Sequence, residues 1–396
     1  MQEPESDNAA PPPHPIRVAM LGAFPPQAQG IQGYCGELAQ ALGARCRVHA
    51  IGFRRMYPSF LFPGVSESMD ASRAPLDAPY LRVEHRLTWY NPFGWFTAAM
   101  RARGDVFHAQ WWSLPLWLIY LRMVLLMKIR RIPVVITVHN VLPHESGRGY
   151  VWASRQLCRL ADRVLVHSET NRAQLIEHYR IRAERVSTIP MGTGAAQAPA
   201  APEARRALGL PAGRRYVLCF GIIRPYKGVD TLLRAFARVA QRHDDVDLII
   251  AGKPWTPWQP YQARIDADNL GPRVHTFLEY IPEERVPLFF GAADLVALPY
   301  THFDAQSAVG SVALPYRKPL LVSDVGGLPD WVNGDPEWIV PPNAPDALAD
   351  RMAGFFAEGD AACARFQPVA DAVLARASWR AVAEAHLRIY HEVLSA

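Results

Sequence analysis

Paired cysteines are missing from this sequence. The five present (Cys35, Cys46, Cys158, Cys219, Cys363) are spread singly with no CxxC pair, which argues against a disulfide framework or a cysteine zinc site and favours a reducing compartment. A long apolar run is missing too. The longest, Leu114 to Met127 (LPLWLIYLRMVLLM), is broken by Pro115 and Arg122 and falls short of the ~20 apolar residues a bilayer span requires. The opening, MQEPESDNAAPPPHP, is acidic and proline-rich where a signal peptide needs a basic flank and an apolar core. Residues 1–15 read as a disordered tail. Net charge is also slight, 42 basic against 37 acidic residues for +5. With the arginines scattered rather than gathered in a stripe, no nucleic-acid partner is expected.

What is there describes a globular chain of two or three domains: 396 residues, 50% hydrophobic and 20% charged. Short apolar runs with little polar alternation, at 16–21, 46–51, 105–108, 133–138 and 163–166, predict strands buried on both faces. Helical patterns lie between them, as at Tyr34 to Leu42 and Trp152 to Ala161. The small, proline-rich stretch 193–202 reads as a linker. Beyond it the alternation resumes at 216–220, 247–251, 274–277, 295–298 and 319–322, with a helix at Val229 to Gln241. The chain therefore predicts an α/β protein with two doubly wound, Rossmann-like domains, 16–192 and 203–375, facing a central cleft, and a closing helix in 376–396.

The strongest local signal is CFGIIRPYKGVDTLLRAF, Cys219 to Phe236. A strand end, a turn holding Gly221 and Gly228, and a helix start put Arg224 and Lys227 where two cations and free backbone N–H groups suit a diphosphate. Downstream, DAQSAVGSVALPYRKPLLVSDVGGLPD (Asp304 to Asp330) reads as loop, helix from about Ser307, strand and glycine turn. With AADLVALPY (Ala292 to Tyr300), these segments resemble the retaining glycosyltransferases of family four, which have the GT-B fold. In the first half, MLGAFPPQAQGIQGYCGELAQAL resembles the family's glycine loop, with Gly30 on its second glycine. ITVHNVLPHE carries the family's strand-end histidine onto His139, and VHSETNRAQL and IPMG also resemble family segments.

The resemblance implies transfer of a sugar from a nucleotide diphosphate sugar to an acceptor hydroxyl with retention. Arg224 and Lys227 would neutralise charge growing on the leaving diphosphate, and His139 would hydrogen-bond the sugar. The family's two glutamates, separated by seven residues, fall on Asp304 and Val312. Asp304 keeps a carboxylate for sugar hydroxyls; Val312 cannot bind a ribose. Ile222 stands where the family's arginine often stands, and Gln306, Ser307 and Ala308 open the helix beside the donor, Ser307 with an N-cap-like hydroxyl. No metal is expected, since fixed cations serve the diphosphate; Asp244, Asp245, Asp247 and the DAD at Asp266 to Asp268 read as solvated acids. No cofactor is implied beyond the donor substrate. His108, Trp111 and Trp112 are candidates for the acceptor side.

Family habit and a Trp/Arg patch, Trp111, Trp112 and Trp117 with Lys128, Arg130 and Arg131, imply a glycan or glycolipid acceptor for cell-surface polysaccharide. They also imply a cytoplasmic enzyme with peripheral contact at the anionic inner face of the plasma membrane. A buried helix is the other reading of residues 114–127. Two rival functions stay open: a GT-B phosphorylase or epimerase, and a catalytically silent scaffold of an assembly complex.

Overall fold

A computed structural model describes residues 13–25, 31–57, 76–141, 148–304 and 306–396. The chain divides into two units, residues 1–192 with 379–396, and residues 193–378. In the first, β1 (Arg17–Leu21), α1 (Gln32–Gly43), β2 (Arg47–Arg55), β3 (Leu81–Thr88), α2 (Pro92–Arg101) and β4 (Val106–Trp111) are followed by a 3-10 turn at Leu114–Leu116. Then come α3 (Trp117–Ile129), β5 (Val134–Val138), α4 (Arg148–Leu160), β6 (Arg163–Val166), α5 (Glu169–Tyr179) and β7 (Val186–Thr188). The seven strands form one sheet in the order β3-β2-β1-β4-β5-β6-β7, parallel throughout. All residues of β4 and β5 are buried, as a sheet covered by helices on both faces requires.

The second unit runs α6 (Ala201–Ala207), β8 (Arg215–Phe220), α7 (Val229–Arg242), β9 (Val246–Ala251), α8 (Gln259–Ala267), β10 (Val274–Phe277), α9 (Val286–Ala292) and β11 (Leu295–Leu298). It continues through α10 (Ala308–Ala313), β12 (Leu320–Ser323), β13 (Ile339–Val340), α11 (Pro345–Glu358) and α12 (Asp360–Ala377). Its parallel sheet has the order β10-β9-β8-β11-β12-β13. Helix α7 buries Val229, Leu232, Leu233, Phe236 and Val239, the spacing of one helical face. The last helix, α13 (Trp379–Ser395), returns to the first unit and packs on α1. Gly192 is needed there, because a Cβ would stand 2.4 Å from the Trp379 ring.

Several expectations need correction. Residues 1–12 of the expected tail lie outside the described residues, and His14 is held by its N–H to Arg45 O at 2.9 Å. The expected linker 193–202 belongs to the second unit: Thr193 pairs with Ser378, and α6 starts at Ala201. A boundary at 375 would cut α12, whose hydrogen bonding continues to Ala377. The Trp/Arg patch is dispersed by packing. Trp111 is fully buried, its Nε1 donating to Ser154 Oγ at 2.8 Å. Lys128 is paired with Asp162 at 2.7 Å, and the Arg130 guanidinium donates to the carbonyls of Ala99 and Ala102.

Of the acids at 244–247, Asp245 and Asp247 are structural and sit at the amino end of β9, while Asp244 is exposed. Asp247, wholly buried, accepts from Arg214 Nε (2.7 Å), Arg273 Nε (3.3 Å) and His275 Nε2 (2.9 Å); Asp245 pairs with Arg215 at 2.7 Å. Burial pushes the Asp247 carboxyl upward, but His275 and Arg214 outweigh it and hold it below the usual aspartate value. That stabilisation is complete above the unfolded pKa of about 4 and is lost as pH falls through the lower folded value. Asp247→Asn should flatten this acid-side loss, and Asp247→Ala should cost about 3 kcal/mol in urea unfolding at neutral pH by leaving its partners unpaired.

Candidate active site

At the carboxyl ends of β8 and β9 the two segments keep running side by side beyond the sheet. Gly221 N–H donates to Ala251 O (2.9 Å), Ile223 N–H to Lys253 O (3.0 Å) and Trp255 N–H to Ile223 O (2.9 Å). Side chains have no room where the strands exit. A Cβ on Gly252 would stand 2.2 Å from Gly221 O, and one on Gly221, at φ +99°, would stand 2.8 Å from Lys227 Nζ. The chain then makes a 3-10 turn, Pro225–Lys227, closed by Gly228 at φ +69°, where a Cβ would meet Pro299 O at 1.9 Å. Only then does α7 begin.

This turn drives Lys227 inward. It is 7% exposed, with Nζ 5.4 Å from the centroid of the Tyr300 ring, and no carboxylate pairs with it among the described residues. Burial pushes the ammonium below its ordinary pKa, and the charge of nearby Arg224 acts in the same direction. Arg224 is half-buried, its guanidinium lying over the Trp255 ring at 4.6 Å. Two neighbouring cations with no carboxylate paired to them among the described residues are suited to an anion. Sequence reading found both cations but missed the aromatic group beside them. Among the described residues of this unit, the exposed large apolar side chains are Ile222, Trp255, Tyr280 and Val312. The first three follow the carboxyl ends of β8, β9 and β10, and Val312 lies on α10. The available signal was the tryptophan in GKPWTPW directly after the strand DLIIA.

The remaining candidates of this unit gather at the same edge. Asp304 is half-buried, Gln306 is buried, and Ala308 opens α10 at the surface. Ser307 occupies the N-cap position but makes no cap hydrogen bond; its hydroxyl instead pairs with Tyr300 Oη at 3.0 Å. The N-cap-like role expected of it is thereby corrected: the buried phenol holds the hydroxyl. Val309 reaches the same spot, since its Cγ2 would stand 2.9 Å from a Cβ on Gly221.

His139 belongs to the first unit and follows β5 directly. Its Nε2 lies 2.9 Å from Gln110 Oε1 and its Nδ1 3.1 Å from His167 Nε2, so both ring nitrogens are engaged within the unit. Burial, reinforced by His167 and His108, pushes its pKa well below the ordinary histidine value, and the ring is neutral. Tyr34 packs edge-on against both rings at 4.9 Å, with its buried hydroxyl unpartnered among the described residues. His108 is core: its ring bridges Tyr390 Oη (2.7 Å) and Thr137 Oγ1 (2.8 Å) with no exposure. With Trp111 also buried, neither faces an acceptor. Gly30 lies outside the described residues.

Residues 28–197 match the family model described as Glycosyltransferase Family 4, and residues 200–369 match Glycosyl transferases group 1. The chain belongs to glycosyltransferase family 4. It is 27% identical over 326 residues to a D-inositol 3-phosphate glycosyltransferase of Corynebacterium glutamicum (strain R), covering 76% of this chain and 75% of the relative. Its fold is that of the sucrose-phosphate synthase of Thermosynechococcus elongatus, with a TM-score of 0.69 at 19% identity over 96% of this chain and 99% of the other. Anabaena Alr3699/HepE, solved in complex with UDP-glucose, gives a TM-score of 0.69 at 18% identity over 96% and 99%. The two parallel sheets are thus the two halves of a GT-B glycosyltransferase.

A buried lysine that the fold leaves uncompensated costs this glycosyltransferase stability at neutral pH, a cost that vanishes as pH rises through the lowered pKa. Lys227→Met should therefore raise the melting temperature of the ligand-free protein while lowering turnover roughly 10²-fold or more. Calorimetric melting and a steady-state assay on the same preparation check both halves.

Proposed function

We propose that this glycosyltransferase moves a sugar from a nucleoside diphosphate sugar to a hydroxyl of a glycan or glycolipid acceptor, with retention and without a metal ion. The observation that carries the reading is the pair of uncompensated cations, Arg224 and Lys227, beside the exposed Trp255. In the reaction the bond between the anomeric carbon and the β-phosphate oxygen breaks, and the acceptor oxygen forms its bond to that carbon. The acceptor proton goes to the departing phosphate oxygen, so no enzyme nucleophile is needed. Arg224 and Lys227 meet charge that is larger on the leaving diphosphate than on the bound donor, which is the condition for lowering the barrier.

The nucleoside end is assigned to the aromatic edge. Val312 offers no hydrogen bond to a ribose, whereas Trp255 presents a stacking face, and stacking contributes ~1–3 kcal/mol per base. Asp304 is assigned to sugar hydroxyls. His139 is assigned to the sugar side; donating to the sugar requires it to exchange Gln110 or His167 as a partner. The relative named for D-inositol 3-phosphate makes small polyol phosphates the competing acceptor class. Val312 also favours a second reading, a protein that binds donor without turnover.

A calorimetric screen of nucleoside diphosphate sugars, followed by product analysis with glycan, glycolipid and polyol phosphate acceptors, decides among these readings. The expected outcome is turnover that persists in chelator, with the donor's anomeric configuration kept in the product. Trp255→Ala should weaken nucleoside diphosphate binding roughly ten- to hundredfold and leave inorganic pyrophosphate binding unchanged. Equal losses for both ligands would remove Trp255 from base recognition.

A further inference from the structure

We propose that His167 is a positioning residue that fixes the tautomer of His139: anchored on the Ile189 carbonyl, it accepts from His139 Nδ1 and leaves His139 Nε2 as the unprotonated, accepting nitrogen. For its bearing on transfer this rests on the assignment of His139 to the sugar side.

Strand alternation gathers the parties on one face of the first sheet. His108 and Gln110 flank Ala109 along β4, and Thr137 and His139 flank Val138 at the end of β5, with Gln110 in register with Thr137. His167 follows β6 and Ile189 follows β7, the next two strands of the sheet. Tyr390 of α13 lies on the same group, its Oη 2.7 Å from His108 Nδ1. All of these side chains are buried.

Counting protons decides how the group is wired. His167 Nδ1 lies 3.1 Å from Ile189 O, His167 Nε2 3.1 Å from His139 Nδ1, and His139 Nε2 2.9 Å from the Gln110 amide. A carbonyl only accepts, so His167 Nδ1 carries a proton. A neutral His167 then has a bare Nε2, which takes the proton of His139 Nδ1, and a neutral His139 is left with a bare Nε2. An amide oxygen facing that nitrogen would demand a third proton on the pair, and two neutral imidazoles hold two. The third would make an imidazolium of rings that are 7% and 3% exposed. The titratable groups facing the pair are His108 of β4, Tyr34 of α1, and His386 and Tyr390 of α13; none is an acid that could offset the charge. Burial accordingly holds His167 down to about 4.

The count closes when the Gln110 amide is turned by half a rotation, because its oxygen and NH2 group are nearly the same size and exchange places without disturbing the packing. Donors then run in one direction, from Tyr390 Oη to His108 Nδ1, from His108 Nε2 to Thr137 Oγ1 and the Gln110 oxygen, and from the Gln110 NH2 group to His139 Nε2. His139 Nδ1 gives to His167 Nε2, and the chain ends on Ile189 O. Which nitrogen of an imidazole is protonated is set by the bond the other makes, and here the setting begins at a carbonyl that cannot change. His139 therefore meets a sugar hydroxyl as an acceptor at Nε2 on exchanging Gln110, and as a donor only on giving up His167.

The test is long-range proton to nitrogen correlation NMR of the ligand-free full chain carrying nitrogen-labelled histidine, with each ring assigned from the signals lost in His139→Gln and His167→Leu. The expected spectrum at neutral pH has a protonated Nδ1 and a bare Nε2 on both rings. His167→Leu removes the acceptor, so the His139 proton should move to Nε2, where the Gln110 oxygen can turn to receive it; Gln110→Met should leave it on Nδ1. Through the sugar contact, His167→Leu should lower kcat roughly ten- to hundredfold, the range over which a metal-bound histidine suffers from losing its orienting partner, with the Kd of a nucleoside diphosphate unchanged. A protonated Nε2 on His139 in the unsubstituted protein overturns the proposal, and so does a proton that moves in Gln110→Met but not in His167→Leu. A moved proton with kcat retained overturns the role in transfer through the sugar assignment on which it rests, and leaves the hydrogen-bond wiring standing.

Discussion

An ammonium group buried without an acid to meet it governs the second unit. Lys227 cannot be hydrated freely where it stands, and no carboxylate among the described residues offsets the loss. Its position follows from backbone rather than side-chain contacts: Gly221 leaves the space that Nζ occupies, and Gly228 lets the turn close against Pro299. Tyr300 lies under the ammonium and holds Ser307, which fixes the start of α10. Helix α10 is seated in turn by Gly310, whose missing side chain admits the Trp331 ring. Each of these residues is small, aromatic or neutral, and a carboxylate at any of them would discharge the site. The structure gives up stability here and recovers it elsewhere, as at Asp247 on the opposite edge of the sheet, where a buried acid is satisfied by three partners.

Most of the architecture was legible because parallel strands buried on both faces leave continuous apolar runs in the chain, and loops such as FGIIRPYKG carry their own punctuation. The elements that escaped are those without that signature. Strand β3 is an edge strand with a mixed pattern of half-buried and exposed residues, including Arg82, Glu84, His85 and Arg86; β7 and β13 span three and two residues. Side-chain direction was the harder problem. The run Trp111, Trp112 reads as a surface feature by composition, yet Trp111 ends β4 pointing into the core, where Ser154 takes its indole N–H. Conversely, α2 looks like an ordinary half-buried helix in sequence, and its stripe of Phe93, Phe96 and Met100 is recognisable as outward only once Trp95, Ala98 and Ala99 are seen to fill the inner face.

The candidate site was legible in its charges and illegible in its contacts. Arg224 and Lys227 follow from a strand end, a glycine turn and a helix start. That Arg224 stacks on Trp255 depends on β9 continuing alongside β8 past the sheet, through hydrogen bonds from Ile223 and Trp255 that no local pattern announces. The same limit applies to Ser307. A serine before a helix is a sound N-cap signal, but a phenol within hydrogen-bond reach wins the hydroxyl, and a residue seven positions earlier in the chain supplies it.

The two sheets share one winding and hold opposite electrostatics at their carboxyl ends. In the second unit the edge carries Arg224 and the buried ammonium of Lys227, with no carboxylate paired to either among the described residues. In the first, the polar groups around His139 are histidine, glutamine and tyrosine, packed so deeply that burial keeps His139 and His167 uncharged, with His167 lowered to about 4. Had His139 stood in water it would carry partial charge near neutral pH. The depth of β5, all five of whose residues are buried, therefore matters chemically as well as structurally: it keeps the strand-end histidine neutral, so that in the proposed transfer the cations assigned to the diphosphate are those of the second unit.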